Sequence, residues 1–533
     1  MKRLSVILIH HKTWPGLFIA GLVFTFIVTA VSALLFYPLD INISVLFVDA
    51  YYRHITAFSF YQAFLSTLLS VGLAIPVSHA LSRRHFFGKS LLLKLFATTL
   101  VLPVLVGVFG ILAIYGNSGL LASLLQHIDQ RLPFSIYGLN GILLAHLFFN
   151  LPFATRLLLQ SLHSIPIQQH KLAAHLGLFN WQKFRIVEWP TMRQQLPHVA
   201  GLVFMLCFTS FATVMALGGG PKSTTIELAI YQAIKFDFDL QAGALLALWQ
   251  ILLCSVILLF VQRISRPLPL SNRGDNLAIQ LFNDTCSSKY WDRFWIVAVI
   301  LLVVPPLLMV VISGLNHQIL HVISDTQFWK ALFNSLIIAL FAAFLALFAA
   351  TFILICSRFW RTRGLNKRAD KIEMIASLIL VTPGIVISTG LFLLLRNSSD
   401  MFSLAIIVVM LVNALMALPY ALKTLAQPMF QIAQQYDMLC ASLGIDGWSR
   451  FKIIEWRAIK RPFIHAFSIS FVLSIGDLSA IALFGSQDFK TLPLYLLQLL
   501  GSYQMQSAAV IALFLLLISV GVFSVIEKLS LKK

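Results

Sequence analysis

The stretch "SLGIDGWSRFKIIEW", Ser442 to Trp456, has a counterpart 267 residues earlier in "LGLFNWQKFRIVEW", Leu176 to Trp189. At that shift Leu176–Gly177 falls on Leu443–Gly444, Trp181 on Trp448, Phe184 on Phe451, Ile186 on Ile453 and Glu188–Trp189 on Glu455–Trp456. Lys183 meets Arg450, Arg185 meets Lys452, and Leu151–Pro152 meets Leu418–Pro419. One residue less brings Ala216–Leu217 onto Ala482–Leu483, Gly219 onto Gly485 and Gln232 onto Gln498. A match spread this far along the chain marks a duplicated half.

The surroundings of both copies are apolar. Of 533 residues 59% are hydrophobic and 11% charged, too much apolar surface for a water-soluble core. Twelve runs have the length and composition of membrane-spanning helices: 16–37, 58–80, 92–115, 138–160, 196–217, 242–262, 294–315, 328–356, 373–395, 402–422, 462–485 and 505–527. Continuous apolar runs without ten-residue alternation exclude a barrel and predict an all-α integral membrane protein. The first run follows Lys2, Arg3 and Lys12 as a signal peptide would, but it has full membrane length and no small-residue cleavage site, and reads as an uncleaved anchor.

The net charge of +19 reports topology, not a nucleic-acid partner. Most of the 39 Lys and Arg sit at the two ends and in every second loop, around 81–94, 160–195, 263–293, 357–371 and 423–461. That asymmetry puts these segments and both termini in the cytoplasm of a multi-pass membrane protein. The five cysteines, Cys207, Cys254, Cys286, Cys356 and Cys440, then lie in spans or on the cytoplasmic side, where no outer-face disulfide is expected.

A repeat of 267 residues contains six spans, and an even number gives both copies one orientation. The expected architecture is two parallel six-helix modules, residues 1–264 and 294–533, joined by a cytoplasmic linker over 265–293, with a pseudo-twofold axis along the membrane normal.

Each copy of the repeated stretch lies between the fourth and fifth spans of its half, on the cytoplasmic face. The spacing predicts a short helix (about 167–176 and 434–443) stopped by Gly177 or Gly444. A second short helix is capped by Asn180 or Asp446. Trp181, Phe184 and Val187, and in the other copy Trp448, Phe451 and Ile454, form an apolar ridge at i, i+3, i+6 flanked by Lys and Arg. Such a ridge is covered either by lipid headgroups or by a groove on a partner.

A Gly, nine variable residues, then aliphatic–x–x–Pro resembles the cytoplasmic signature of importer-type ABC permeases. The first copy supplies Gly177 and Val187-Glu188-Trp189-Pro190; the second supplies Gly444 and Ile454-Glu455-Trp456-Arg457, with arginine in the proline position. The acidic residue that opens the family signature is missing from both copies. Over nearly its whole length the chain resembles the thiamine transport permeases of Gram-negative bacteria, on "LPVLVGVFGILAIYG" (102–116), "LLAHLFFNLPFATRLLLQSL" (143–162), "LGGGPKSTTIELAIYQAI" (217–234), "ASLGIDGWSRFKIIEWRAIKRP" (441–462) and "LSIGDLSAIALFGSQDFKTLPLYL" (473–496). The resemblance implies a type I importer permease fold and thiamine and its phosphate esters as substrate. It also implies a periplasmic thiamine-binding protein and a homodimeric cytoplasmic ABC ATPase that carries ATP and Mg. The repeated loops are the coupling helices seated on that ATPase.

Other motifs carry less. "GGGPKST" (Gly218–Thr224) echoes a phosphate-binding loop, but Pro221 separates Gly from Lys and the segment leaves a span on the outer face. No nucleotide site and no cofactor is expected in this chain, so hydrolysis belongs to another subunit. "HQILH" (His317–His321) has a zinc-like spacing without a third ligand, and no metal site is expected. Asp477 lies within the eleventh span, where a carboxylate either lines a cavity suited to a cationic solute or bonds a neighbour such as Ser474. Thr209 and Ser210 in the fifth span are pathway candidates of the same kind. Gly218–Gly220 and Gly485 fit sharp turns or a docking face at the outer ends of spans five and eleven. Two rivals remain: a ferric-iron permease on the same scaffold, and a secondary carrier, which would need more intramembrane ionisable groups than this sequence holds.

Overall fold

A computed structural model of the chain describes residues 2–36, 44–99, 101–130, 133–265, 286–380, 382–396, 401–445 and 447–531. Every regular element among them is a helix. Ten helices are long and apolar enough to cross a membrane, and an eleventh is counted if the bent pair Asn180–Phe208 and Phe211–Leu217 is one span.

The departures from twelve plain spans have local causes. The run 92–115 is two helices, Lys89–Thr99 and Val104–Tyr115, and the run 373–395 is likewise Asn366–Ser377 and Gly384–Leu395. Pro103 and Pro383 stand immediately before the second piece of each. Proline lacks an N–H and forces its predecessor out of the α region, so each run is interrupted just ahead of its proline. The run 196–217 bends by 52° between Phe208 and Phe211. The expected short helix over 434–443 is the end of one long helix, Met401–Ser442.

The chain forms two compact units that interleave the sequence halves. One contains residues 1–43, 229–251 and 317–533; the other contains 44–228 and 252–316. In the first, the N-terminal helix Lys2–Phe36 packs on Thr326–Arg361, Asn366–Ser377 and Gly384–Leu395. In the second, Cys286–Gly314 packs on Ala50–Arg83 and Val104–Tyr115. The first helix of each sequence half therefore joins a unit built mainly from the other half. Glycine permits the closest of these approaches: a Cβ on Gly390 would stand 2.2 Å from the Ala30 carbonyl oxygen, and one on Gly110 would stand 2.4 Å from that of Pro306. Small residues at such crossings let helices pack in lipid, where no hydrophobic force drives them together.

At one end of the second unit Arg84 Nε donates to buried Asp292 at 2.6 Å, and Arg83 Nη2 donates to Ser288 Oγ at 2.8 Å. These contacts fix the start of Cys286–Gly314 against the last turn of Ala50–Arg83. Within the apolar interior, polar side chains find partners on neighbouring helices. In the second unit Ser66 Oγ lies 2.8 Å from His146 Nδ1, and Gln62 Nε2 donates to the Cys207 carbonyl at 2.9 Å. In the first, Asn413 Nδ2 donates to both Ser474 oxygens at 3.1 Å.

Candidate functional site: two repeated loops

In the first loop the helix Ile167–His175 ends at Gly177, whose φ of +64° is left-handed. Gly444 ends the preceding helix in the second loop with φ +63°. This conformation costs an L-residue with a Cβ about 1–2 kcal/mol, which accounts for a glycine in each copy.

The next segment departs from the expected capped helix. Phe179, not Asn180, precedes the first helical residue, and Asn180 itself has φ +46°. Its side chain accepts from Arg83 Nη2 at 3.4 Å instead of capping. Asp446 and the Trp448 side chain lie outside the described residues. After one α-helical turn both copies open into a π-helical turn, Phe184–Glu188 and Phe451–Glu455. The Trp189 N–H bonds back to the Phe184 carbonyl and the Trp456 N–H to the Phe451 carbonyl, five residues away in each case. Pro190 is not the cause, because Arg457 takes its place in the second copy and the wide turn persists.

The wide turn changes which side chains face outward. An i, i+3, i+6 ridge assumes 3.6 residues per turn, and a π turn breaks that register. Trp181 is 69% exposed, but Phe184 and Val187 are half-buried. The Phe184 ring stacks on Trp181 at 5.3 Å and meets the His79 ring edge-on at 4.8 Å. Phe451 and Ile454 are half-buried too, with Phe451 6.0 Å from the Trp456 ring. Apolar side chains the sequence reasoning missed complete the outward face: Leu172, Leu176 and Ile186 in the first loop, and Met438, Leu443 and Ile453 in the second. Trp189 is half-buried; Pro190 and Trp456 are exposed. Each loop thus presents an uncovered apolar face.

Glu188 and Glu455 point inward and are both 4% exposed. Glu188 lies 2.9 Å from His79 Nε2 and 3.4 Å from Lys183 Nζ. Glu455 lies 2.7 Å from Arg358 Nη2 and 2.9 Å from Arg450 Nε. Arg450 also pairs with Asp437. Beside the first loop, a cavity of about 840 Å³ is lined by His79, Arg83, Trp181, Phe184, Trp189 and Trp291. Several indoles with arginine are the side chains that settle at a membrane–water boundary.

The pathway candidates are satisfied close to home. The Asp477 carboxylate does not accept from the Ser474 hydroxyl, which Asn413 bonds; it accepts from Ser479 Oγ at 2.9 Å and from the Ala480 N–H at 3.4 Å, at the start of Ser479–Phe484, while the Asp477 N–H donates to the Ser474 carbonyl at 3.4 Å. Thr209 and Ser210 donate to the Met205 and Cys207 carbonyls, both at 2.8 Å, at the bend after Phe208. Gly219 and Gly220 have φ of +69° and +133° and form a turn; Gly485 is extended. Among the described residues no cluster of His, Cys, Asp or Glu could hold a metal, and His317 and His321 are part of none.

Three features therefore occur twice: a glycine-ended helix, a wide turn with a buried carboxylate, and an uncovered apolar face. The chain is 50% identical over 523 residues to the thiamine transport system permease protein ThiP of Escherichia coli (strain K12), covering 97% of each chain. The chain belongs to the thiamine transport permease family. It is 43% identical over 488 residues to the permease of the same name from Haemophilus influenzae, covering 90% of this chain and 89% of the relative. Against the sulfate transport system permease protein CysW of Synechococcus elongatus the likeness is 28% over 198 residues, 36% of this chain and 68% of that one. No family model matches. The permease is thus an all-helical, multi-pass membrane protein in which the loops carry the repeated feature.

Proposed function

We propose that this chain is the permease subunit of an ATP-driven importer for thiamine and its phosphate esters, in the inner membrane with both termini cytoplasmic. Likeness to thiamine permeases along almost the full chain carries the reading. The two uncovered apolar faces support it, because a homodimeric ATPase would need one such face per half. In this reading the ATPase grips the outward side chains around Trp181 and Met438, and ATP and Mg are handled there. A periplasmic thiamine-binding protein delivers the solute to the opposite side. Alternating access then follows from the loops being driven apart and together. The chain itself performs no bond chemistry.

The test is hydrolysis by the purified permease–ATPase complex in lipid. Thiamine-loaded binding protein should stimulate it. Stimulation by an iron-loaded binding protein instead would move the assignment to ferric iron. Uptake that survives loss of the ATPase but collapses with the proton gradient would make the protein a carrier.

A further inference from the structure

A buried carboxylate and three neighbouring side chains correspond between the two loops. Glu188 and Glu455, Lys183 and Arg450, and His170 and Asp437 match at a shift of 267; His79 and Arg358 match at 279. His79 belongs to the last turns of Ala50–Arg83 and Arg358 to those of Thr326–Arg361. In both repeats, then, the final residue of the wide turn is tied to the end of a long apolar helix, at 2.9 Å in one and 2.7 Å in the other.

Burying such a pair does not by itself favour it, since well-packed apolar residues in its place are often as stable or more so. A π turn is also an uncommon conformation, and its last residue is the one held from outside. We propose that Glu188 and Glu455 are positioning residues that latch each coupling loop to the end of Ala50–Arg83 or Thr326–Arg361, so that a push on the exposed apolar face moves that helix. The proposal rests on the permease reading. It adds that the two latches are unequal: the second joins Arg358, Glu455, Arg450 and Asp437 in alternating charge, whereas the first joins His79, Glu188 and Lys183, with an imidazole where the second has the Arg358 guanidinium.

The test uses the full permease–ATPase complex with loaded binding protein, in lipid. Arg358→Met combined with Glu455→Met replaces the pair by apolar side chains and leaves Arg450 with Asp437. The assembled complex should capture its ATPase as before, while stimulation by loaded binding protein falls about tenfold or more. His79→Leu with Glu188→Leu should give a smaller loss. Full stimulation in the assembled Met/Met complex overturns the latch, as does a loss that merely tracks lost ATPase. If the double variant does not assemble, Arg358→Lys decides: it keeps the charge but loses the planar fork. Lower stimulation with assembly intact is expected, and unchanged stimulation overturns the proposal. Absence of stimulation in the unsubstituted complex would instead count against the permease reading.

Discussion

The two repeated loops share a glycine stop, a wide turn and an exposed apolar face, but they are anchored by different chemistry. In the second, Glu455 sits between two guanidiniums. In the first, the equivalent carboxylate has a lysine and an imidazole. The two anchors share a geometry but are built from different side chains. Shape is therefore the shared requirement, and a difference in hold between the halves is the expected consequence.

Several substitutions would break or sharpen this comparison. The largest effect is expected from Gly444→Pro, which forces φ from +63° to the proline value near −65°. It should reduce ATPase capture about tenfold or more while the permease still inserts, and Gly177→Pro should do the same from the first loop. Alanine at either position should cost only about 1–2 kcal/mol. Wild-type capture by both proline variants would remove the loops from the docking scheme. Next in size, Phe451→Asp and Phe184→Asp each place a charge among packed rings and should lower thermal stability by about 3 kcal/mol, followed in a melt of the purified protein.

A smaller, cleaner change comes from the exposed side chains. Trp181→Ala and Met438→Ala remove groups that are 69% and 89% exposed. Each should leave the stability of the isolated permease within about 0.5 kcal/mol of wild type yet weaken ATPase binding severalfold. Equal weakening would say that both faces are gripped alike despite their unequal anchors. Asp477→Asn probes a position where the halves differ outright, since Phe211 occupies the corresponding place. Asparagine keeps a side-chain oxygen that can accept from the Ala480 N–H, so stability should change by less than about 0.5 kcal/mol. Uptake that saturates as before would confine Asp477 to that local role.

Much of the helical architecture was legible because its signals are long and redundant. Apolar runs of membrane length and a repeat of 267 residues each extend over many positions. What stayed hidden depended on single residues or on contacts distant in sequence. The breaks at Pro103 and Pro383 required weighing one proline against twenty apolar neighbours. The exchange of Lys2–Phe36 and Cys286–Gly314 between units has no local signal at all. The ridge over Trp181, Phe184 and Val187 was legible as apolar but not as half-buried, because nothing in the sequence announces a π turn. His79 and Arg358 escaped notice since they match at 279 rather than 267. His170 and Asp437 lie on the main shift and could have been found there as a polar pair differing in charge.

That last pair gives the smallest and most specific prediction. Burial, and after it the charge of Lys183, hold the His170 imidazole below its ordinary value, against a weaker opposing pull from Glu188. The folded protein therefore binds fewer protons at this site than the unfolded chain, whose imidazole titrates near about 6.5. Stability contributed here is present above that value and is lost as the pH falls through it towards the lower folded one. A thermal melt of the permease should drop between about pH 7.5 and about pH 5.5, and less so in His170→Gln, which cannot charge. His170→Asp goes further by installing the second loop's charge beside Lys183. It should turn the first anchor into a closer copy of the second and stabilise the permease by about 0.5 kcal/mol, with the gain shrinking in high salt. A destabilised His170→Asp protein would mean that the first loop is shaped around a neutral side chain, and that the two anchors differ in design and not only in strength.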